Sequence, residues 1–220
     1  MDLGLALRFV FEDEDWLRKV LINGLIGLIP VVGQIYLVGW CLEVARQVAL
    51  DQYTVLPDMD FGLYLRRGFQ IFVAGLAYSL PVWILVLPMV IIPVLGTTMT
   101  IDEDTLAAFM GISSLCCSGL IIVYAIFLGL IMQVVYAHVA VEDSLKAAFE
   151  FPEIFRLFKA AIGPWLLAFV GVMVAGFAAS LLGSIACGIG IVFTMAIYFP
   201  VMGHLYGQAY RQAKMAPSLN

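Results

Sequence analysis

AAIGPWLLAFVGVMVAGFAASLLGSIACGIGIVFTMAIYFPVMGHLYGQAY, from Ala160 to Tyr210, runs 51 residues without an Asp, Glu, Lys or Arg. A bilayer core takes about 20 apolar residues per crossing helix. The run is therefore too long for one crossing and long enough for two with a tight turn. Leu182-Gly183-Ser184 carries the turn residues, since Gly and Ser tolerate turn geometry. Upstream, Gly171, Ala175, Ala179 and Gly183 recur every fourth residue. That spacing makes a small-residue ridge along one helix face, a helix-packing or partner contact where backbones approach closely.

The composition agrees with a membrane setting. Of 220 residues, 63% are hydrophobic and 12% charged, whereas a soluble domain carries about 25% charged residues. The length suits a single helical membrane domain over residues 1–220. The formal net charge is −5 and no basic run occurs, which excludes a phosphate-binding nucleic-acid surface. Met1-Asp2-Leu3-Gly4-Leu5 has no basic region ahead of a short apolar core, so a cleaved signal peptide is not expected. Cys41, Cys116, Cys117 and Cys187 form no Cys-x-x-Cys pair. They read as small buried hydrophobes that stay reduced.

In chain order, Arg8 to Lys19 places acids before bases at a helix start, the order a helix dipole favours. An apolar run follows from Val20 to Leu42, and Pro30-Val31-Val32-Gly33 should break it. Two helices are expected near Asp13 to Ile29 and Val32 to Leu50, roughly 25 and 28 Å long. Leu56-Pro57-Asp58 is a turn signal, and Phe61 to Arg67 reads as a short interfacial helix. Gly68 to Ile101 is uncharged and carries Pro81, Pro88 and Pro93, predicting one kinked span near Phe69 to Val94. Asp102-Glu103-Asp104 is an acidic loop. A further span is expected near Leu106 to Ala137, then a second amphipathic stretch, Glu150 to Lys159. The tail from Arg211 to Asn220 is too polar to insert.

All Lys and Arg fall in Arg8–Lys19, Arg46–Arg67, Lys146–Lys159 and Arg211–Lys214. The positive-inside rule puts these segments and both termini in the cytoplasm. The fold expected is all-α, a polytopic protein of about six membrane helices in three hairpins with amphipathic interfacial helices. Three similar openings and three similar endings suggest tandem units at 8–51, 58–142 and 150–214. Trp16, Phe61, Tyr64, Phe155 and Phe158 are the expected interfacial anchors.

Phe11-Glu12-Asp13-Glu14-Asp15-Trp16, the Gly24 to Pro30 run, Gly39 ahead of Glu43 and Arg46, Leu56-Pro57-Asp58, Phe61, Gly62 and Gly68-Phe69 together carry a resemblance. The chain resembles an uncharacterised, domain-of-unknown-function family of prokaryotic multi-pass membrane proteins. Such families usually carry a Tyr where this chain has Trp40. The resemblance implies a helical membrane domain and assigns no catalytic residue.

Polar residues inside a membrane are the default place to look for function. Glu43, His138 and Gln208 occupy matching places in the three units and could line one polar pocket at the cytoplasmic end. No metal site is expected: His138 and His204 lack the further ligands zinc takes, and no His-x-x-His pair occurs. No Gly-x-Ser-x-Gly elbow or Gly-rich phosphate loop occurs, so neither an enzyme nor a cofactor is expected. The chain reads as a non-enzymatic accessory or scaffold that binds membrane lipids or a partner membrane protein. A small-solute transporter or channel is the alternative, drawn from the Pro-broken spans.

Overall fold

The computed structural model describes residues 1–52, 55–98, 102–185 and 189–216. Among the described residues the chain is all-helical. The α-helices are α1 (Leu3–Arg8), α2 (Trp16–Gly27), α3 (Val32–Ala49), α4 (Phe61–Thr98), α5 (Glu103–Glu142), α6 (Phe151–Ala160), α7 (Ile162–Ile185) and α8 (Ile189–Met215). Short 3-10 turns cover Phe9–Phe11 and Leu145–Phe149. Four stretches, Phe61–Gly96, Asp104–Glu142, Ile162–Ile185 and Gly190–Met215, are long and apolar enough to cross a membrane. The chain forms two compact units, Met1–Ala74 with Leu130–Asn220, and Gly75–Gly129.

The larger unit is built around α3. Tyr36, Leu37, Trp40, Cys41, Leu42, Val44, Ala45 and Val48 are all buried. They point in every direction around the helix, so α3 is enclosed by protein rather than half-exposed. Two glycine contacts fix the crossing of α3 with the start of α4. A methyl added at Gly39 would overlap the Tyr64 carbonyl, and one added at Gly68 would overlap the Ile35 carbonyl. The reciprocal order, 39 with 64 and 35 with 68, makes these helices antiparallel. Along its other side α3 runs parallel to α8. Gly203 faces the Cys41 carbonyl, and a methyl on Gly207 would lie 2.6 Å from the Ala45 carbonyl. Apolar burial gives little drive where lipid is as apolar as Leu, so close van der Waals approach of this kind carries the association.

The break at Pro30 occurs as the sequence requires, with α2 ending at Gly27 and α3 beginning at Val32. Val31 takes φ 65 and ψ −59, and the Val32 N–H donates to the Pro30 carbonyl at 2.7 Å. The chain thus reverses through a γ-turn.

Several boundaries differ from the sequence reading. Leu182-Gly183-Ser184 is helical, because α7 continues to Ile185; Cys187 lies outside the described residues. Phe61 to Arg67 is no separate interfacial helix but the first turns of α4. Nothing breaks the backbone before Gly68, whose missing side chain is needed for contact with α3 instead. The spans expected at Phe69 to Val94 and Leu106 to Ala137 are parts of longer helices, about 57 and 60 Å at 1.5 Å per residue. The start of the final tail continues α8 to Met215.

In the smaller unit, Pro81, Pro88 and Pro93 lie inside α4. The Tyr124 hydroxyl donates to the Tyr78 carbonyl at 2.7 Å, and Leu106 packs against Gly96. Trp83, Ile84 and Leu115 are exposed.

The crossing of α3 and α4 yields a contrast. Gly39→Ala should lower thermal stability in detergent, by about 1–3 kcal/mol for overfilling a packed contact. Gly75, Gly111 and Gly119 have nothing within 4 Å of an added methyl. Their Ala variants should be neutral or gain up to about 1 kcal/mol of helix propensity. Equal melting shifts for both groups would rule out the tight crossing.

Candidate functional site

Three groups of polar residues of the larger unit lie toward the ends of α3, α5 and α8. The first surrounds Arg67, whose side chain is only 3% exposed. Its Nη1 donates to Glu43 Oε2, and its Nε donates to Asp143 Oδ1 at 3.0 Å. Arg66 donates to the other Asp143 oxygen at 2.6 Å. Gln47 Nε2 donates to Glu43 Oε1 at 2.9 Å. Helical side chains lean toward their own N-terminus. On antiparallel α3 and α4 this aims Glu43 and Arg67 toward each other along the axis. Asp143 follows α5 directly, at φ 50, a conformation Asp tolerates better than most residues. Burial pushes its carboxyl up, but the hydrogen bonds from Arg66 and Arg67 outweigh this and hold it below the ordinary carboxylate value.

The second group is centred on His138. Its Nε2 lies 3.2 Å from Glu150 Oε2 and its Nδ1 lies 3.4 Å from the Tyr210 hydroxyl, with the two rings stacked. The third is centred on Gln208. Its Oε1 accepts from the Asp2 N–H at 2.7 Å, and its Nε2 donates to the Asp2 carbonyl at 3.0 Å. One side-chain amide thus occupies both backbone groups of Asp2. Gln208 Nε2 also lies 2.9 Å from His204 Nδ1, and the His204 ring packs on Phe9 at 4.9 Å. Glu43, His138 and Gln208 therefore hold three separate sets of partners.

Helix α6 packs Ile154 and Leu157 inward and leaves Phe151, Phe155, Arg156 and Lys159 exposed. Arg156 first, then Lys214, pull the Glu153 carboxyl down to about 2 against the effect of burial. Lys214 Nζ, 3.3 Å from Glu153, ties α6 to the end of α8. Of the other expected anchors, Phe61 is exposed and stacks on Tyr36 at 5.3 Å, while Trp16 and Phe158 are half-buried. Tyr64 is buried, its hydroxyl donating to the Asp58 carbonyl.

The small-residue ridge of α7 faces α8. A methyl on Gly171 would meet Leu205 and Leu3, each at 3.0 Å; one on Gly183 would meet Ile191 at 2.9 Å and Thr194 at 3.0 Å. Ala175 and Ala179 lie half-buried between them. Two cavities flank α8 ahead of Gln208. One of about 270 Å³ is wholly apolar and lies between α1, α7 and α8. The other, about 370 Å³, lies beside the α2–α3 break and includes Gln34. Cys41 is buried, Cys117 half-buried and Cys116 exposed.

Sequence reasoning missed Arg67, Asp143 and Asp2 as partners. Arg67 reads as an interfacial base until the Gly39–Gly68 crossing brings α4 against α3. Gln133, legible in the sequence as one of the few polar residues of the uncharged runs, is buried with both amide ends unpartnered, as is the Trp40 indole nitrogen.

The family model described as "Protein of unknown function (DUF4013)" matches residues 22–188. The chain belongs to this family. The DUF4013 match covers Glu43, Arg67, His138, Asp143 and the α7 ridge, and ends before Gln208. No match was found among curated proteins or among solved structures.

The buried ion group gives a graded expectation. Arg67→Leu leaves Glu43 and Asp143 without their shared cation and should cost about 3–5 kcal/mol. Arg66, 54% exposed, should cost under about 1 kcal/mol when changed to Ala. Denaturation in detergent measures both; comparable losses would mean Arg67 is solvated like its neighbour.

Proposed function

We propose that this DUF4013 protein is a non-enzymatic integral membrane protein of a prokaryotic inner membrane, an accessory or scaffold that binds lipid. A partner membrane protein is the other ligand of this reading. In it, α2 and α3 form a short membrane hairpin that joins α4–α5 and α7–α8, giving six membrane helices with both termini cytoplasmic. The distribution of bases supports this orientation, since the Asp102 loop has none. Cysteines placed at Asp2 and Asp102 test it. An impermeant thiol reagent should label only the second in intact cells; labelling at Asp2 as well would mean that the first apolar run crosses once, and five spans would replace six.

The observation that carries the lipid reading is α6. It is docked on the protein by Ile154 and Leu157 and presents Phe151 and Phe155 beside Arg156 and Lys159. Aromatic rings favour the headgroup level, and each base adds roughly 1 kcal/mol near an anionic surface. Native mass spectrometry of the purified protein should find anionic phospholipid retained. An Arg156→Ala, Lys159→Ala double variant should retain several-fold less. Equal retention would remove the lipid role from α6.

The transporter reading rests on the cleft beside the α2–α3 break, where Gln34 meets Gly27, Leu37 and Val192. Solute flux in proteoliposomes that Gln34→Leu abolishes would favour it.

A further inference from the structure

The segment Asp2–Phe11 closes one side of the apolar groove between α7 and α8. Leu3 and Leu7 form its near wall; Val170, Gly171, Val174 and Leu205 stand among the residues opposite. Every lining residue is apolar. On the far flank of α1 lies a second cavity, about 460 Å³, lined by Asp2, Leu5, Val48, Gln208 and Arg211 among others. The segment therefore has open space on both sides.

Within α1 itself Ala6 alone is buried. Ala6, Phe9 and Val10 are buried, while Leu3 and Leu7 stay 44% and 51% exposed. The polar hold is the Gln208 amide, which takes both backbone groups of Asp2. Six residues of helix are far below the roughly 12–15 that persist alone. Elements with few buried contacts are those that open at low cost in a folded protein. The turn before Trp16 is anchored independently: the Trp16 N–H donates to the Asp13 carbonyl at 3.2 Å, and Asp13 pairs with Lys19 at 2.9 Å. A release at Asp2 would thus pivot at the turn without disturbing α2.

We propose that Asp2–Phe11 is a strap latched by Gln208, and that the groove it covers receives one acyl chain of a membrane lipid. The choice of occupant follows from the lining. A polar ligand would give up its water there and gain no hydrogen bond. The walls on α7 and α8 belong to the uncharged stretch, which places them at hydrocarbon depth. At Gly171 the Leu3 and Leu205 side chains come within 3.0 Å of where a Cβ would stand, so Leu3 seats against α7 there. The occupant rests on the lipid-binding reading; the opening of the strap does not.

Hydrogen exchange on the full chain in nanodiscs tests the latch. Gln208→Ala should speed exchange of the amides from Leu5 to Phe11 at least tenfold, leaving α3 and α8 protected. A photoreactive fatty acid tests the groove. It should label 167–178 several-fold more in Gln208→Ala than in the parent, and Val174→Trp should abolish the gain. A chain lacking residues 1–7 should label as Gln208→Ala does, which covers poor folding of that variant. Unchanged exchange in a folded Gln208→Ala protein overturns the strap. Faster exchange without added labelling overturns the acyl chain as occupant. Loss of headgroup retention on the α6 variants with groove labelling intact would overturn the α6 role alone.

Discussion

The larger unit depends on how closely α3 approaches α4 and α8. At Gly39 and Gly68 there is no room for one methyl group between the helices. Such contacts are short-ranged and need complementary backbones, so they specify one crossing rather than a family of them. The consequences follow along the chain. The crossing places the α4 start antiparallel to α3, and that direction lets Arg67 reach Glu43. Contacts at Gly203 and Gly207 fix α8 along the other side, bringing His204 and Gln208 to the α1 segment.

The Arg67 group adds a second constraint of a different kind. Replacing a buried ion pair by apolar residues is often neutral or stabilising, so net stability is a poor reason for it. Its geometry supplies another. Glu43 belongs to α3, Arg66 and Arg67 to α4, and Asp143 is the residue that follows α5. A one-residue slip of any element would leave a charge buried without a partner, at a cost of several kcal/mol. The glycine contacts set how closely the helices cross; the ion group adds a penalty on any slip in register.

Much of this was legible in the sequence, and the gaps have physical causes. The break at Pro30 could be read because proline removes a donor and clashes with the preceding turn. The apolar helices could be read because an uncharged run of that length cannot form a water-facing surface and matches the thickness of a bilayer core. Gly171 to Gly183 could be read as a ridge from a four-residue spacing. The end of α7 was misplaced because Gly and Ser in an apolar helix serve packing as readily as turns. The independent helix at Phe61 was misread because amphipathic composition describes a surface, not a backbone break. The partners of Glu43, His138 and Gln208 were beyond reach, since each depends on a contact between residues distant in sequence. Shared position in a proposed repeat says nothing about which neighbour a side chain meets.

The α2–α3 break bears on the choice between binding and transport. Broken helices in transporters leave backbone carbonyls and amides free to hold ions or substrate. Here several of those groups are already paired. Leu28 and Ile29 donate to Leu25 and Ile26, Gly33 donates to Ile29, and Val32 donates to Pro30. Gln34 donates to the remaining Gly27 carbonyl at 3.2 Å. The γ-turn at Val31 is what permits the Val32 bond, at a strain of order 1–3 kcal/mol for a branched residue at positive φ. In water that strain would be needless, because solvent would satisfy the amide. At an apolar, exposed tip of Leu28, Ile29, Val31 and Val32, an unsatisfied amide costs more than the strain. The apolar tip suits the proposed membrane hairpin, and the backbone groups paired here are not free to hold a solute.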